Sequence, residues 1–151
     1  ITNDKRWENA KTLYQFSIRD KQLHEDLTKW GCIPQKSLKI DKIPNIPRDF
    51  VSHFIRGYFD GDGSLHYLKG TNNYRISFIG TQSFLMDTQK ELQTNVSLYF
   101  GSSGKAYALQ ISGRKQIERI LNYIYQDSTE QIRLDRKYQT YLDCLEWAHR
   151  H

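Results

Sequence analysis

Only two cysteines occur in the 151 residues, Cys32 and Cys144, and no C-x-x-C spacing joins either to a second sulfur. That count and spacing exclude a thiolate metal cluster and a disulfide framework, and both thiols are expected to be buried and reduced. Prolines number three and no low-complexity stretch occurs, which excludes a fibrous or disordered chain and leaves no obvious linker. No apolar run approaches the ~18 residues that a membrane span needs, and the opening ITNDKRWENA lacks the apolar core of a secretory signal. The expectation is a soluble intracellular protein with no membrane partner, and a first residue of Ile1 rather than Met suggests a processed or trimmed chain. What is present is 38% hydrophobic, 13% aromatic and 26% charged residues, enough for one domain of ordinary size with a real core. Lys and Arg total 22 against 17 Asp and Glu, a net charge of +5 that is compatible with a polyanionic partner.

Periodicity divides the chain into short elements. Residues 12 to 19 alternate, with Tyr14, Phe16 and Ile18 on one face, and read as a half-buried strand. Residues 21 to 30 place Leu23, Leu27 and Trp30 at helical spacing, with Gly31 where a helix would be capped. The connection GCIPQKSLKIDKIPNIP holds Pro34, Pro44 and Pro47 and forms the best internal boundary, ending where Pro47 suits a first helical turn. From Arg48 to Gly61, Phe50, Val51, Phe54, Ile55, Tyr58 and Phe59 form two neighbouring i, i+4 rows, with Gly57 and Gly61 at the edge of the stripe. Glycines four apart let another backbone approach closely. Then SLHYL and YRISFIGT read as a hairpin, SFLMDTQKELQT as a helix, NVSLYF and KAYALQIS as a second hairpin, and RKQIERILNYIY and LDRKYQTYLDCLEWA as helices.

An internal repeat is visible. Tyr14, Phe16 and Ile18 correspond to Tyr107, Leu109 and Ile111; with one inserted residue, Leu23, Leu27 and Trp30 correspond to Ile117, Leu121 and Ile124. The first 45 residues are then the end of a repeat whose beginning is absent.

The most informative stretch is FIRGYFDGDGSL, residues 54 to 65, which ends a buried helix with Asp60 and Asp62 between Gly61 and Gly63. Carboxylates at a helix C-terminus face the negative end of the dipole, so a compensating partner is expected, and a hard divalent cation is one. If the helix holds to residue 62, the acids point roughly 200° apart and serve different purposes: one faces a metal, the other backbone or a neighbouring helix. An acidic turn closed by glycines is the plain alternative. An EF-hand loop is excluded, because counting from Asp60 its sixth and twelfth positions are Leu65 and Thr71 in place of Gly and Glu. YFDGDGSL also mimics the aspartate signature of haloacid-dehalogenase phosphatases, but no late acidic pair follows and the upstream residues keep helical period.

The string Ile55 to Gly63, IRGYFDGDG, resembles the motif of the LAGLIDADG homing endonucleases. Its flanks KSLKIDKIPNIPRDFVSHF and YIYQDSTEQIRLDRKYQTYL are similar to the junction before a second motif and to the usual ending in two-repeat members. The resemblance implies an α+β fold of αββαββα type with a saddle-shaped antiparallel sheet. Residues 1–46 would be the tail of a first repeat and 47–151 a complete one. It further implies a site-specific double-stranded DNA endonuclease that hydrolyses phosphodiester bonds with Mg2+ or another divalent cation. The alternative is a DNA-binding relative that has lost cleavage, a regulator or an intron maturase. Carried over, Asp62 is the metal and catalytic acid, Asp60 steadies the helix end beside the interface glycines Gly57 and Gly61, and Lys137 or Arg136 stabilises charge at the cleaved phosphate. A surface Arg-Lys pair on a helix is otherwise simply solvated.

Strand parity supplies the polar face that such a sheet would turn to the major groove: Ser64 and His66, Arg75 and Ser77, Ala108, Gln110 and Ser112, beside Lys69 and Lys105. Arg19 and the Lys36 region are further candidates for DNA contact. Two departures stand out. Arg56 occupies a position that is small in the family, and only one motif is present, so a second repeat must come from a homodimer mate or a missing N-terminal half.

Overall fold

The computed structural model describes residues 17–30, 32, 39–101, 104 and 106–150. Helix α1 (Lys21–Lys29) comes first, and a 3-10 turn (Arg48–Phe50) runs directly into α2 (Val51–Asp62). Hairpin and helix then alternate through β1 (Ser64–Leu68), β2 (Asn73–Gly80), α3 (Gln82–Glu91), β3 (Leu98–Phe100), β4 (Tyr107–Ser112) and α4 (Arg114–Tyr125), and α5 (Asp135–Arg150) closes the chain. The order α-β-β-α-β-β-α therefore runs from α2 to α4, with α5 as one helix more.

All pairings are antiparallel and the sheet order is β1-β2-β4-β3, so the two hairpins join along β2 and β4. Their register sets Ile76 against Ile111 and Phe78 against Leu109. All four are fully buried. Helices α2 and α4 pack on β2, α3 on β4 and α5 on β1, and Ile55, Phe59, Phe84, Leu85, Ile117, Ile120 and Leu121 fill the space between, each at most 1% exposed. Burying a side chain of this size is worth about 1.5–3 kcal/mol, and this one layer of contacts holds the fold. The opposite face of the sheet keeps Ile79 and Tyr99 45% and 56% exposed.

Local signals account for the element ends. Asp20 caps α1, its carboxylate accepting the Leu23 N–H at 2.7 Å, and Thr81 caps α3 by accepting the Phe84 N–H at 3.2 Å. The Thr81 hydroxyl donates to the Ile40 carbonyl at 2.5 Å, tying the proline-bearing connection to the helical layer. Pro47 stands at the N-cap of the 3-10 turn, just ahead of the position expected for it.

Several sequence expectations meet a different outcome. The strand over residues 12 to 19 lies mostly outside the described residues, as do Gly31, Pro34 and Lys36, and Ser17 to Arg19 have no regular structure. Helix α1 forms, yet Leu23, Leu27 and Trp30 remain 40%, 44% and 48% exposed, whereas their counterparts Ile117, Leu121 and Ile124 are buried. The period makes both helices amphipathic, but among the described residues only α4 has a sheet packed against its stripe. Cys144 is buried as expected; Cys32, just beyond the end of α1, is exposed. Among the described residues no helix is long and apolar enough to cross a membrane.

Candidate functional site

Asp60 and Asp62 close α2 and enter different surroundings. Asp60 is half-buried. Its Oδ1 accepts the Tyr125 hydroxyl at 2.7 Å and its Oδ2 the backbone N–H of Leu134 at 3.0 Å. One turn earlier on α2, Arg56 is buried at 4% exposure and donates to the carbonyls of Ile124 at 3.3 Å and Ile132 at 3.1 Å. An acid and a base four residues apart thus hold the same α4–α5 connection, satisfying N–H and C=O groups that helix ends leave free. Burial holds the Arg56 guanidinium below its ordinary range, with Asp60, Tyr125 and Asp127 opposing the shift. Burial, and then the bond to Asp60, pushes the Tyr125 phenol up. The large residue at a position expected to be small does not crowd the glycine edge, because it turns into the body of the domain.

Lys137 completes the helix end. Its Nζ donates to the Phe59 carbonyl and, at 2.5 Å, to the Gly63 carbonyl, so a cation neutralises the negative end of α2. The first turn of α5 turns Lys137 inward to 6% exposure while Arg136 stays exposed, so of the two candidates for stabilising charge at a phosphate only Arg136 faces solvent, and the plain alternative of a solvated pair holds for Arg136 alone. Desolvation foremost, and then the neighbouring Arg136, lowers the Lys137 pKa, against the pull of Asp60 and Asp62. At Gly63 a Cβ would stand 2.4 Å from Phe59 Cδ2 and 2.8 Å from the Phe59 carbonyl oxygen, so a side chain there would collide with the helix the backbone is leaving. Asp62 is exposed, and its charge reaches Lys137 and the buried Tyr58, whose phenol is pushed up to about 12, chiefly by burial.

The outward face of α2 is open. Gly57 and Gly61 are exposed, and a Cβ on either would meet nothing within 4 Å among the described residues. Beside them, Trp30, His53, Phe54 and Gly57 line a shallow cleft of about 220 Å³.

From Asp62 the chain passes through Gly63 into β1, whose outward residues start a series of rows across the sheet. His66, Arg75 and Ser112 form one row; Ser64, Ser77 and Gln110 form the next. Ser77 corrects its assignment as a solvent-facing contact: it is only 8% exposed, a short side chain recessed at the centre of the sheet between Ser64 and Gln110. Lys69 is exposed in the β1–β2 turn, and Lys105 lies outside the described residues. A third row, Ile79, Ala108 and Tyr99, is apolar. Parity alone places Ile79 beside Arg75 and Ser77, so its face was legible. The partners Tyr125 and Leu134 of Asp60 had no signal in the sequence. Among the described residues no group of three or more His, Cys, Asp or Glu side chains gathers that would hold a metal by itself.

These features define an α+β protein with a four-stranded antiparallel sheet, helices on one face, and an acidic helix end leading into the other. No family model matches the chain. A stretch of 94 residues, 62% of this chain, is 31% identical to part of an elongation factor 2 from Methanopyrus kandleri, covering 7% of that protein. Another of 96 residues, 59% of the chain, is 36% identical to part of a probable translation initiation factor IF-2 from Thermococcus kodakarensis, covering 8% of it. The chain thus spans less than a tenth of the length of these curated relatives. Among solved structures, the I-LtrWI LAGLIDADG homing endonuclease bound to target DNA aligns over 64% of this chain and 41% of its own, with 16% identity and a TM-score of 0.38.

Proposed function

We propose that the chain is part of a site-specific endonuclease of the LAGLIDADG homing type, which hydrolyses phosphodiester bonds of double-stranded DNA. The observation that carries this reading is the exposed Asp62, at the junction between the open glycine face of α2 and the polar outer face of the sheet. A carboxylate there stands where a duplex lying on the sheet would bring a phosphate, and where a second acidic helix end would pack against Gly57 and Gly61. The translation factors are matched over too small a share of their length for their roles to be carried over.

One exposed carboxylate falls short of the roughly six oxygens that Mg2+ takes, so Asp62 fits a shared site completed by phosphate oxygens, water and an acid from a second repeat. When bound, the ion supplies a Lewis acid that neutralises charge at the phosphate and activates water. The chain's own residues do the positioning. Asp60 and Lys137 fix the end of α2, Gly63 lets the backbone turn into β1, and Arg136 offers an exposed cation to the phosphate.

The test compares nicking of a selected duplex by the parent and Asp62→Asn, each assembled with the second repeat that cleavage requires, in magnesium and in calcium. The expected outcome is magnesium-dependent nicking by the parent, and a mutant that keeps the fold and DNA affinity but does not nick. Equal nicking by both overturns the catalytic assignment. A second reading, a DNA-binding protein without cleavage, is favoured by the single acidic helix end in this chain, and tight binding without nicking would establish it.

A further inference from the structure

The outer face of the sheet changes character along the strands. The first row, His66, Arg75 and Ser112, offers hydrogen-bond donors, and the second offers donors and acceptors from Ser64 and Gln110 on either side of the recessed Ser77. The third row, Ile79, Ala108 and Tyr99, presents hydrocarbon and an aromatic ring, with Ile79 45% and Tyr99 56% exposed. Single exposed apolar residues are ordinary on a protein surface, but an aligned row across three strands forms a patch. Its position is fixed from behind, since the Ile79 carbonyl accepts the buried Tyr58 hydroxyl at 2.7 Å. No carboxylate stands on any of these rows, so none repels a polyanion, and Arg75 and Lys69 make the far end basic.

We propose that Ile79, Ala108 and Tyr99 read the C5-methyl groups of thymine in the bound duplex. This rests on the DNA-binding reading above and names a specificity it would have. The thymine methyl is the apolar group that base edges present in the major groove, and so the complement of an apolar row on a face otherwise built for hydrogen bonds. Successive rows lie about 6.8 Å apart along a strand, against about 3.4 Å per base step. The apolar row therefore sits roughly four base pairs from the positions facing Arg75.

The experiment uses the full chain and a duplex selected from a randomised pool. Each thymine is replaced in turn by deoxyuridine, which removes the methyl and leaves the hydrogen-bonding edge unchanged, and affinity is read by fluorescence anisotropy. One or two adjacent positions should lose roughly fourfold, the equivalent of one buried methyl group, and lie about four base pairs from the position sensitive to Arg75→Ala. In Ile79→Ser, and independently in Tyr99→Ser, that deoxyuridine effect should vanish while binding to the deoxyuridine duplex is unchanged. Equal affinity for thymine and deoxyuridine at every position overturns this proposal and leaves the DNA-binding reading standing. So does a deoxyuridine effect that survives both substitutions. Failure to bind any duplex at low salt overturns both.

Discussion

Neighbouring residues of one charge type come apart in this structure because the helix period sends them to different dielectric surroundings. Arg136 stays in water while Lys137 enters the body and binds two carbonyls; Asp62 is exposed while Asp60 accepts from Tyr125 and Leu134. The two aspartates therefore predict opposite balances of stability and function. Asp60→Asn replaces an acceptor pair with one acceptor and one donor, so the Tyr125 hydroxyl or the Leu134 N–H loses its partner, at a cost of about 1–3 kcal/mol. Asp62→Asn, at an exposed position, should change stability by no more than about 0.5 kcal/mol. Urea unfolding of the two variants checks this, and equal shifts would show that the acids share one role.

At the scale of elements, α2 is finished on its inner side and unfinished on its outer one. Ile55 and Phe59 are buried at 1% and 0% exposure, but Gly57 and Gly61 face open space. A Cβ at position 57 meets nothing within 4 Å among the described residues, and Gly57→Leu removes a glycine from a helix interior, so it should raise the urea midpoint, by the equivalent of roughly 0.5–1 kcal/mol. Any assembly through this face should weaken in the same variant, as read by analytical ultracentrifugation of parent and mutant. A less stable variant with unchanged association would place the interface elsewhere. The elements themselves were legible where one period ran unbroken: Ile117, Leu121 and Ile124 mark α4, and Ile76 and Phe78 mark β2. The joining of the hairpins along β2 and β4 was not, because a register such as Ile76 against Ile111 is set by how the core fills and by no local signal. The exposure of the α1 stripe was not legible for a related reason, since amphipathicity identifies an apolar face but not what covers it. At the candidate site the two acids, the glycines and Arg75 could be read from spacing and parity. The bonds of Asp60 to residues 65 and 74 positions away could not.

At the scale of the whole molecule, protons and salt probe different surfaces. Burial pushes the Tyr58 phenol and the Cys144 thiol up to about 12, and burial with the bond to Glu91 does the same for Tyr123. Unfolded, these groups lose their protons near their ordinary values of 9.0 and 10.0, so between there and about pH 12 the folded chain holds more protons than the unfolded one. Stability should then fall as pH rises through that window, seen as a urea midpoint that drops from pH 8 to pH 11. On the proposed reading, duplex binding would be governed instead by the net charge of +5 and by the basic residues along the sheet. Neutralising phosphates releases counterions, so affinity should fall linearly on a log–log plot against salt, with a slope near −0.9 for each phosphate contacted. If Lys69 in the β1–β2 turn contacts a phosphate, Lys69→Gln reduces that slope by roughly 1 and weakens all sequences alike. Arg75→Ala, on the sheet face itself, should relax discrimination at one base position. An affinity indifferent to salt, or a Lys69→Gln effect confined to one sequence, would place the nucleic acid somewhere other than across the outer face of this sheet.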